Sequence, residues 1–242
     1  MQLSLAVAAK GQCRPEDFLR SLQAEKLLDE PGVDVHIAHD EGWTLATYEP
    51  ATNVHLHACA GGTSILKLWG TAIARSEGEF IAVLDLHCPL QPGWYARARA
   101  EMNKATAVFC GPVEPGWAID DKRIIGYLVD YALFQAPLNR HPDEVPGNNL
   151  VIKRNLLADS PALEESGFFK TFTLWRLARE RGLSPLSCNE MRVLYRKPFA
   201  MNHYLVRQYV HGRCFAATRH DHPDQPARVA AELEALVAGL PR

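Results

Sequence analysis

Residues 80 to 95 read FIAVLDLHCPLQPGWY, and they set a carboxylate, an imidazole and a thiol within four residues of one another. Asp85, His87 and Cys88 close an apolar run that starts at Phe80. Side chains alternate along a strand, so Asp85 and His87 are expected on one side if the strand continues. A carboxylate with an imidazole suits Mn²⁺, or Mg²⁺ in its place, better than Ca²⁺. Held by two or three protein ligands, such a cation keeps positions open for phosphate oxygens. It then acts as a Lewis acid on a leaving diphosphate. Cys88 has no partner Cys or His at zinc-site spacing and is expected to be a small core residue.

Two other apolar strands end in polar groups. LSLAVAA (3 to 9) runs into Lys10 and Gly11, and VDVHIA (33 to 38) into His39, Asp40, Glu41 and Gly42. Ligands of open α/β sheets sit outside the carboxyl ends of the strands. Each ending alone reads more readily as the start of a turn, and their joint placement is what suggests a pocket.

The elements that must position these groups alternate between strand and helix. A helix is expected from Pro15, with Phe18, Leu19 and Leu22 on one face. NVHLHAC (53 to 59) alternates at period two, and 64 to 77 reads as a helix ending before Gly78. A helix over 92 to 105 and a strand over 106 to 113 follow. Continuous apolar strands between helices predict a three-layer α/β domain with a mostly parallel sheet. Farther on, 123 to 134 reads as helix, 135 to 149 as loop, 149 to 153 as strand and 172 to 182 as helix. Residues 203 to 219 and 228 to 240 read as helical, with Tyr204, Tyr209 and Phe215 expected to pack.

The 242 residues carry a net charge of -2 and are 47% apolar, enough for a substantial core. Near-balanced charge gives no reason to invoke nucleic acid. Six scattered cysteines without a C-x-x-C pair read as reduced thiols. Neither a signal peptide nor a membrane-spanning run is recognisable, so a cytoplasmic protein is expected.

Four segments together resemble the family 2-type glycosyltransferases of the GT-A fold, over about residues 3 to 219. HDEGW resembles that family's Asp-Asp-Gly-Ser segment, which implies that Asp40, with Glu41 beside it, contacts the uracil of a UDP-sugar. GTAIARSEGEFIAVLDLHCPLQPGWY resembles the helix-strand unit leading into the metal-binding D-x-D motif. Its D-x-H-Cys form is similar to that of the polypeptide N-acetylgalactosaminyltransferases. PGNNLVIKRNLL resembles the strand beside the donor sugar and places Gly147, Asn148 and Asn149 there. GFFKTFTLWRLARERG resembles the helix that in inverting members opens with Glu-Asp.

The resemblance implies a Rossmann-like GT-A domain over 1 to 219, with a linker and helix over 220 to 242. It implies a nucleotide-sugar donor bound by Lys10, Asp40, Glu41, Asp85, Asn148 and Asn149, and a metal on Asp85, His87 and a later histidine. His203 and His211 are the candidates for that last ligand, with His203 nearer the family's position. The acceptor class stays open among saccharide, lipid-linked and protein hydroxyls.

Lys170-Thr171 stands where the Glu-Asp pair is expected, and neither side chain readily deprotonates an acceptor. A desolvated Lys170 with a lowered pKa is one candidate base, and Glu165 just upstream is another, although LEESG also reads as a solvated turn. Residues 192 to 219 hold six Lys or Arg and no acid. That stretch reads as a diphosphate-neutralising segment, as a peripheral contact with an anionic membrane, or as a solvated basic helix. Trp94 and Trp117 are candidates to stack on a sugar. Two classes of function follow: a metal-assisted glycosyltransferase, or a catalytically inactive GT-A-fold binding or scaffolding module.

Overall fold

The computed structural model describes residues 2–10, 15–40, 51–157 and 163–197, together with Leu205, Tyr209, Gly212 and Ala216. The chain divides into two compact units, Met1–Pro198 and Phe199–Arg242. Nearly everything described belongs to the first. Glu41, His203 and the helix expected over 228 to 240 lie outside the described residues.

In chain order the first unit comprises β1 (Leu3–Ala9), α1 (Glu16–Ala24), β2 (Val33–His39), β3 (Val54–Ala58), α2 (Ile65–Arg75), β4 (Phe80–Asp85) and α3 (Trp94–Asn103). It continues with β5 (Val108–Cys110), β6 (Val113–Pro115), α4 (Ile124–Asp130), β7 (Asn149–Lys153), α5 (Leu163–Ser166), α6 (Lys170–Arg181), β8 (Leu186–Ser187) and β9 (Val193–Tyr195). Seven strands form one sheet in the order β3-β2-β1-β4-β7-β5-β8. The pairings β1–β2, β1–β4, β2–β3 and β5–β8 are parallel, whereas β7 runs antiparallel to both β4 and β5. Every residue of β1 and β4 is buried, so both faces of the sheet centre are covered. This is the three-layer, mostly parallel arrangement that continuous apolar strands require.

Helix starts and stops follow local chemistry. The Ser64 hydroxyl caps α2 by accepting the Lys67 N–H at 3.3 Å. The Glu25 carboxylate caps α3 from a distance, accepting the Gly93 and Tyr95 N–H groups at 2.8 Å each. Gly182, at φ +62, ends α6 in the left-handed conformation. Phe18, Leu19 and Leu22 are the buried face of α1, as their spacing predicts.

The strand expected over 106 to 113 is broken. β5 stops at Cys110, and β6 pairs with β9 in a separate two-stranded sheet. Pro112 has no N–H to continue the ladder, and the chain leaves the main sheet at Gly111. A Cβ on Gly111 would lie 1.7 Å from the Met191 carbonyl oxygen. Gly111→Ala is therefore expected to destabilise the fold by about 2–3 kcal/mol through overpacking, measured as a lowered urea midpoint at unchanged slope.

The helix expected over 123 to 134 ends at Asp130 and gives way to a 3₁₀ turn, Ala132–Phe134. Leu163–Ser166 is one helical turn, α5, with Glu164 and Glu165 exposed, as a solvated turn requires. Tyr209, expected to pack, is 66% exposed.

At the β2–β3 edge, three imidazoles share one face. The His36 and His57 rings stack at 5.2 Å, and His36 and His55 lie 4.9 Å apart. Burial, then the neighbouring charges of His36, Arg75 and His55, push His57 down to about 4, and Glu164 opposes them. Below pH 6.5 an unfolded chain takes up a proton that the folded His57 refuses. Stability is thus lost as pH falls from 6.5 to about 4. His57→Gln should remove that component, so wild type loses more stability than the variant over that window in denaturant titrations.

Candidate functional site

Strand register gathers the residues singled out in the sequence. Ala8 pairs with Asp85 and Ala9 with His39, so Lys10, Asp40 and Asp85 leave three parallel strands at the same edge of the sheet. Because β7 is antiparallel, Leu84 faces Asn149, and the start of β7 brings Gly147, Asn148 and Asn149 to that edge as well.

Asp85 is 5% exposed and Asp40 7%. The strand does not continue past Asp85. Instead, the Cys88 N–H donates to the Asp85 carbonyl at 2.8 Å, and the His87 N–H donates to Asp85 Oδ1, also at 2.8 Å. The expected alternation of Asp85 and His87 is thereby replaced by a tight turn held by the carboxylate itself. His87 is half-buried at its bend. Lys10 Nζ donates to the Thr63 carbonyl at 2.6 Å, tying the end of β1 to the loop before α2.

The two asparagines differ. Asn149 donates both amide hydrogens to carbonyls, Met191 O at 2.7 Å and Pro112 O at 3.0 Å, and its Oδ1 accepts the Trp94 Nε1–H at 2.9 Å. Its amide knits β7 to the second sheet and to α3. Asn148 Nδ2 donates to Cys88 Sγ at 2.9 Å, whereas its buried Oδ1 has no hydrogen-bond partner. An orphaned buried acceptor is costly and calls for a donor. Burial, then the Asp85 charge, raises the Cys88 thiol well above its ordinary range, which suits an inert packing thiol.

Lys170, at the start of α6, donates to the Val145 carbonyl, and its Nζ lies 3.5 Å from Glu144 Oε2 and 5.1 Å from the Phe134 ring centre. Desolvation lowers its pKa, with Glu144 opposing. Its aliphatic stem passes Gly147, where a Cβ would sit 3.4 Å from Lys170 Cδ and 3.6 Å from the Trp69 indole. Trp69 Nε1 in turn donates to the Leu84 carbonyl at 2.7 Å. Lys170 is thus joined to the end of β4 through Gly147 and Trp69. Glu165 is exposed on α5.

Tyr131 escaped the sequence reading. Its ring lies 4.9 Å from Tyr195 and 6.2 Å from Phe134, and burial followed by the Cys88 and Asp85 charges raises its hydroxyl pKa well above the ordinary value. It is thus linked to Phe134 by ring contact and to Asp85 by charge. Tyr131 sits inside an unremarkable helical pattern, so no motif flags it. Lys197 follows Arg196, whose N–H donates to the His87 carbonyl at 2.8 Å, and its charge reaches Cys88. Arg196 pairs with Asp17 at 3.0 Å, and Arg192 Nε donates to Asn189 O at 2.9 Å.

Trp94 is wholly buried and cannot stack on a sugar, and the Arg123 guanidinium covers one face of the half-buried Trp117 ring at 3.8 Å. Among the described residues no three His, Cys, Asp or Glu side chains converge as a ready metal cage. Asp85 and His87 fit only an open site, completed by ligand oxygens. No described helix is long and apolar enough to cross a membrane.

No protein-family model and no curated protein matches the sequence. Solved structures do. TarS residues 1–349 of S. aureus aligns at TM-score 0.50 and 13% identity, covering 80% of this chain and 60% of that one. The same TarS fragment in complex with UDP-GlcNAc aligns at TM-score 0.54 and 14% identity, covering 83% and 60%. A longer TarS structure aligns at 0.52 and 12%, with 81% and 37% covered. The chain therefore spans less than two thirds of the proteins it matches. At these identities the likeness establishes architecture: a mostly parallel, Rossmann-like sheet flanked by helices, of the GT-A type.

Proposed function

We propose that the chain transfers a sugar from a nucleotide-sugar donor, a UDP-sugar, to an acceptor hydroxyl on a saccharide, lipid or protein. One observation carries this reading: strand register sets Lys10, Asp40, Asp85 and Asn148 at a single sheet edge. In support, the fold is shared with a protein solved with UDP-GlcNAc.

Asp40 would contact the uracil and Asn148 Oδ1 a donor hydroxyl, relieving its orphaned state. Asp85 and His87 would hold Mn²⁺ or Mg²⁺, which when bound neutralises charge on the leaving diphosphate. Lys10 and Lys197 would add positive charge at the same edge. Positioning and electrostatic complementarity are the main sources of catalysis in such a site.

A second reading, a non-catalytic binding module, is favoured by one observation. α6 has no acid in its first turn and opens on a lysine already bonded to Val145 and near Glu144. Calorimetric titration of UDP with Mn²⁺ and then with EDTA, followed by a donor-hydrolysis assay, separates the two. Metal-dependent UDP binding with turnover supports the transferase. Binding without turnover supports the module, and no binding at about millimolar UDP, the weak end of the affinity scale, overturns the transferase and leaves the module.

A further inference from the structure

Away from Asp85, the β2–β3 edge carries a cluster that the proposed reaction leaves unused. Val35 pairs with Val54, His36 with His55 and Ala38 with His57, so Asp34, His36, His55 and His57 all lie on one face by strand alternation. We propose that this face binds a divalent transition-metal ion of the zinc type, with His36, His57 and His55 as imidazole ligands and Asp34 behind His36.

The spacing supports it. His36 Nδ1 and His57 Nε2 are 3.0 Å apart and share a hydrogen bond. Two imidazole nitrogens on one tetrahedral Zn²⁺, each at about 2.0–2.1 Å, lie about 3.3–3.4 Å apart. Exchanging the shared proton for a cation therefore needs a separation of a few tenths of an ångström. The other His36 nitrogen, Nε2, lies 3.4 Å from Asp34 Oδ1, a loose contact that leaves this buried oxygen open to a better-aligned donor. A ligating histidine characteristically donates its second N–H to a carboxylate, which fixes the ring and raises its basicity. Asp34 stands where that carboxylate belongs.

His55 is exposed on the edge strand with its ring centre 4.9 Å from that of His36, and a side-chain rotation would have to bring it to the same point. The three rings do not already converge, in keeping with the lack of a ready cage among the described residues. Imidazole with a single outer carboxylate selects zinc-like ions over Mg²⁺ or Ca²⁺. The neighbouring Arg75 is neutralised by Glu164 at 2.7 Å, so it opposes a cation little.

The test uses the full chain, stripped with chelator and titrated with Zn²⁺ alone by calorimetry and with Co²⁺ alone by absorption spectroscopy. One equivalent should bind to wild type. His55→Gln/His57→Gln should lower affinity at least about 100-fold, and Asp34→Asn about 10- to 100-fold. Asp85→Asn/His87→Gln should leave this binding unchanged, which separates it from the proposed donor site. If the double histidine variant does not fold by circular dichroism, His55→Gln on the exposed strand replaces it, with a loss of at least about tenfold expected. Failure to bind Zn²⁺, retention of binding in the histidine variants, or loss through Asp85→Asn/His87→Gln alone would each overturn the proposal.

Discussion

Asp85→Asn will weaken Mn²⁺-supported UDP binding by about 10- to 100-fold while moving the melting temperature by no more than about 2 °C. The first half follows from the proposed role: a charged group's hydrogen bonds are worth about 1.5–3 kcal/mol, and about 1.4 kcal/mol is a factor of ten in affinity. The second half follows from the turn. Asp85 Oδ1 accepts the His87 N–H at 2.8 Å, and an asparagine carbonyl at the same position still accepts it, though without the charge. Asparagine keeps the bend and removes the charge, whereas Asp85→Ala removes both and confounds folding with binding. Calorimetry alongside thermal melts reads the two halves separately. Unchanged UDP affinity in a folded Asp85→Asn protein would remove Asp85 from the donor site.

Asn149→Leu is expected to be the more damaging change to the fold, at about 3–5 kcal/mol. The side chain is fully buried and bonds Trp94 Nε1, Pro112 O and Met191 O. Leucine is close in size, so little cavity results, but it leaves an indole donor and two carbonyl acceptors without partners. Each orphaned buried group costs about 1–3 kcal/mol, and the carbonyls recover part of it through their second lone pairs. Equilibrium urea unfolding measures the loss. A cost below about 1 kcal/mol would mean that the three groups find other partners, and that Asn149 is not the tie between β7 and the second sheet.

The neighbouring asparagines show where sequence reading stops. Their types and position mark them equally as donor ligands, yet the fold occupies one amide fully and leaves the other's oxygen bare. That difference depends on Trp94, Pro112 and Met191, as many as 55 residues away in the chain. The strands β1, β4 and β7 were legible because continuous burial demands unbroken apolar runs, and β2 because it alternates at period two. Lys10, Asp40 and Asp85 followed from the rule that ligands gather at strand exits. β8 and β9, two and three residues long, are too short to carry a periodicity. Their partners were legible only in part, because a single Gly-Pro step diverts the chain from one sheet to the other. The same limit hid Tyr131, whose place beside Asp85 is set by how α4 is laid down and not by any local spacing.

The antiparallel placement of β7 also has a temporal side. β4 pairs with β1 on one edge, but its other edge waits for Asn149–Lys153. Phe80 emerges from the ribosome 73 residues ahead of its partner Lys153. At roughly 5–20 residues per second, that is about 4–15 s during which an apolar strand presents an open edge. Such an edge is a template for pairing with other chains. During that interval β4 is open to the wrong partner, and the hazard ends when β7 closes on it.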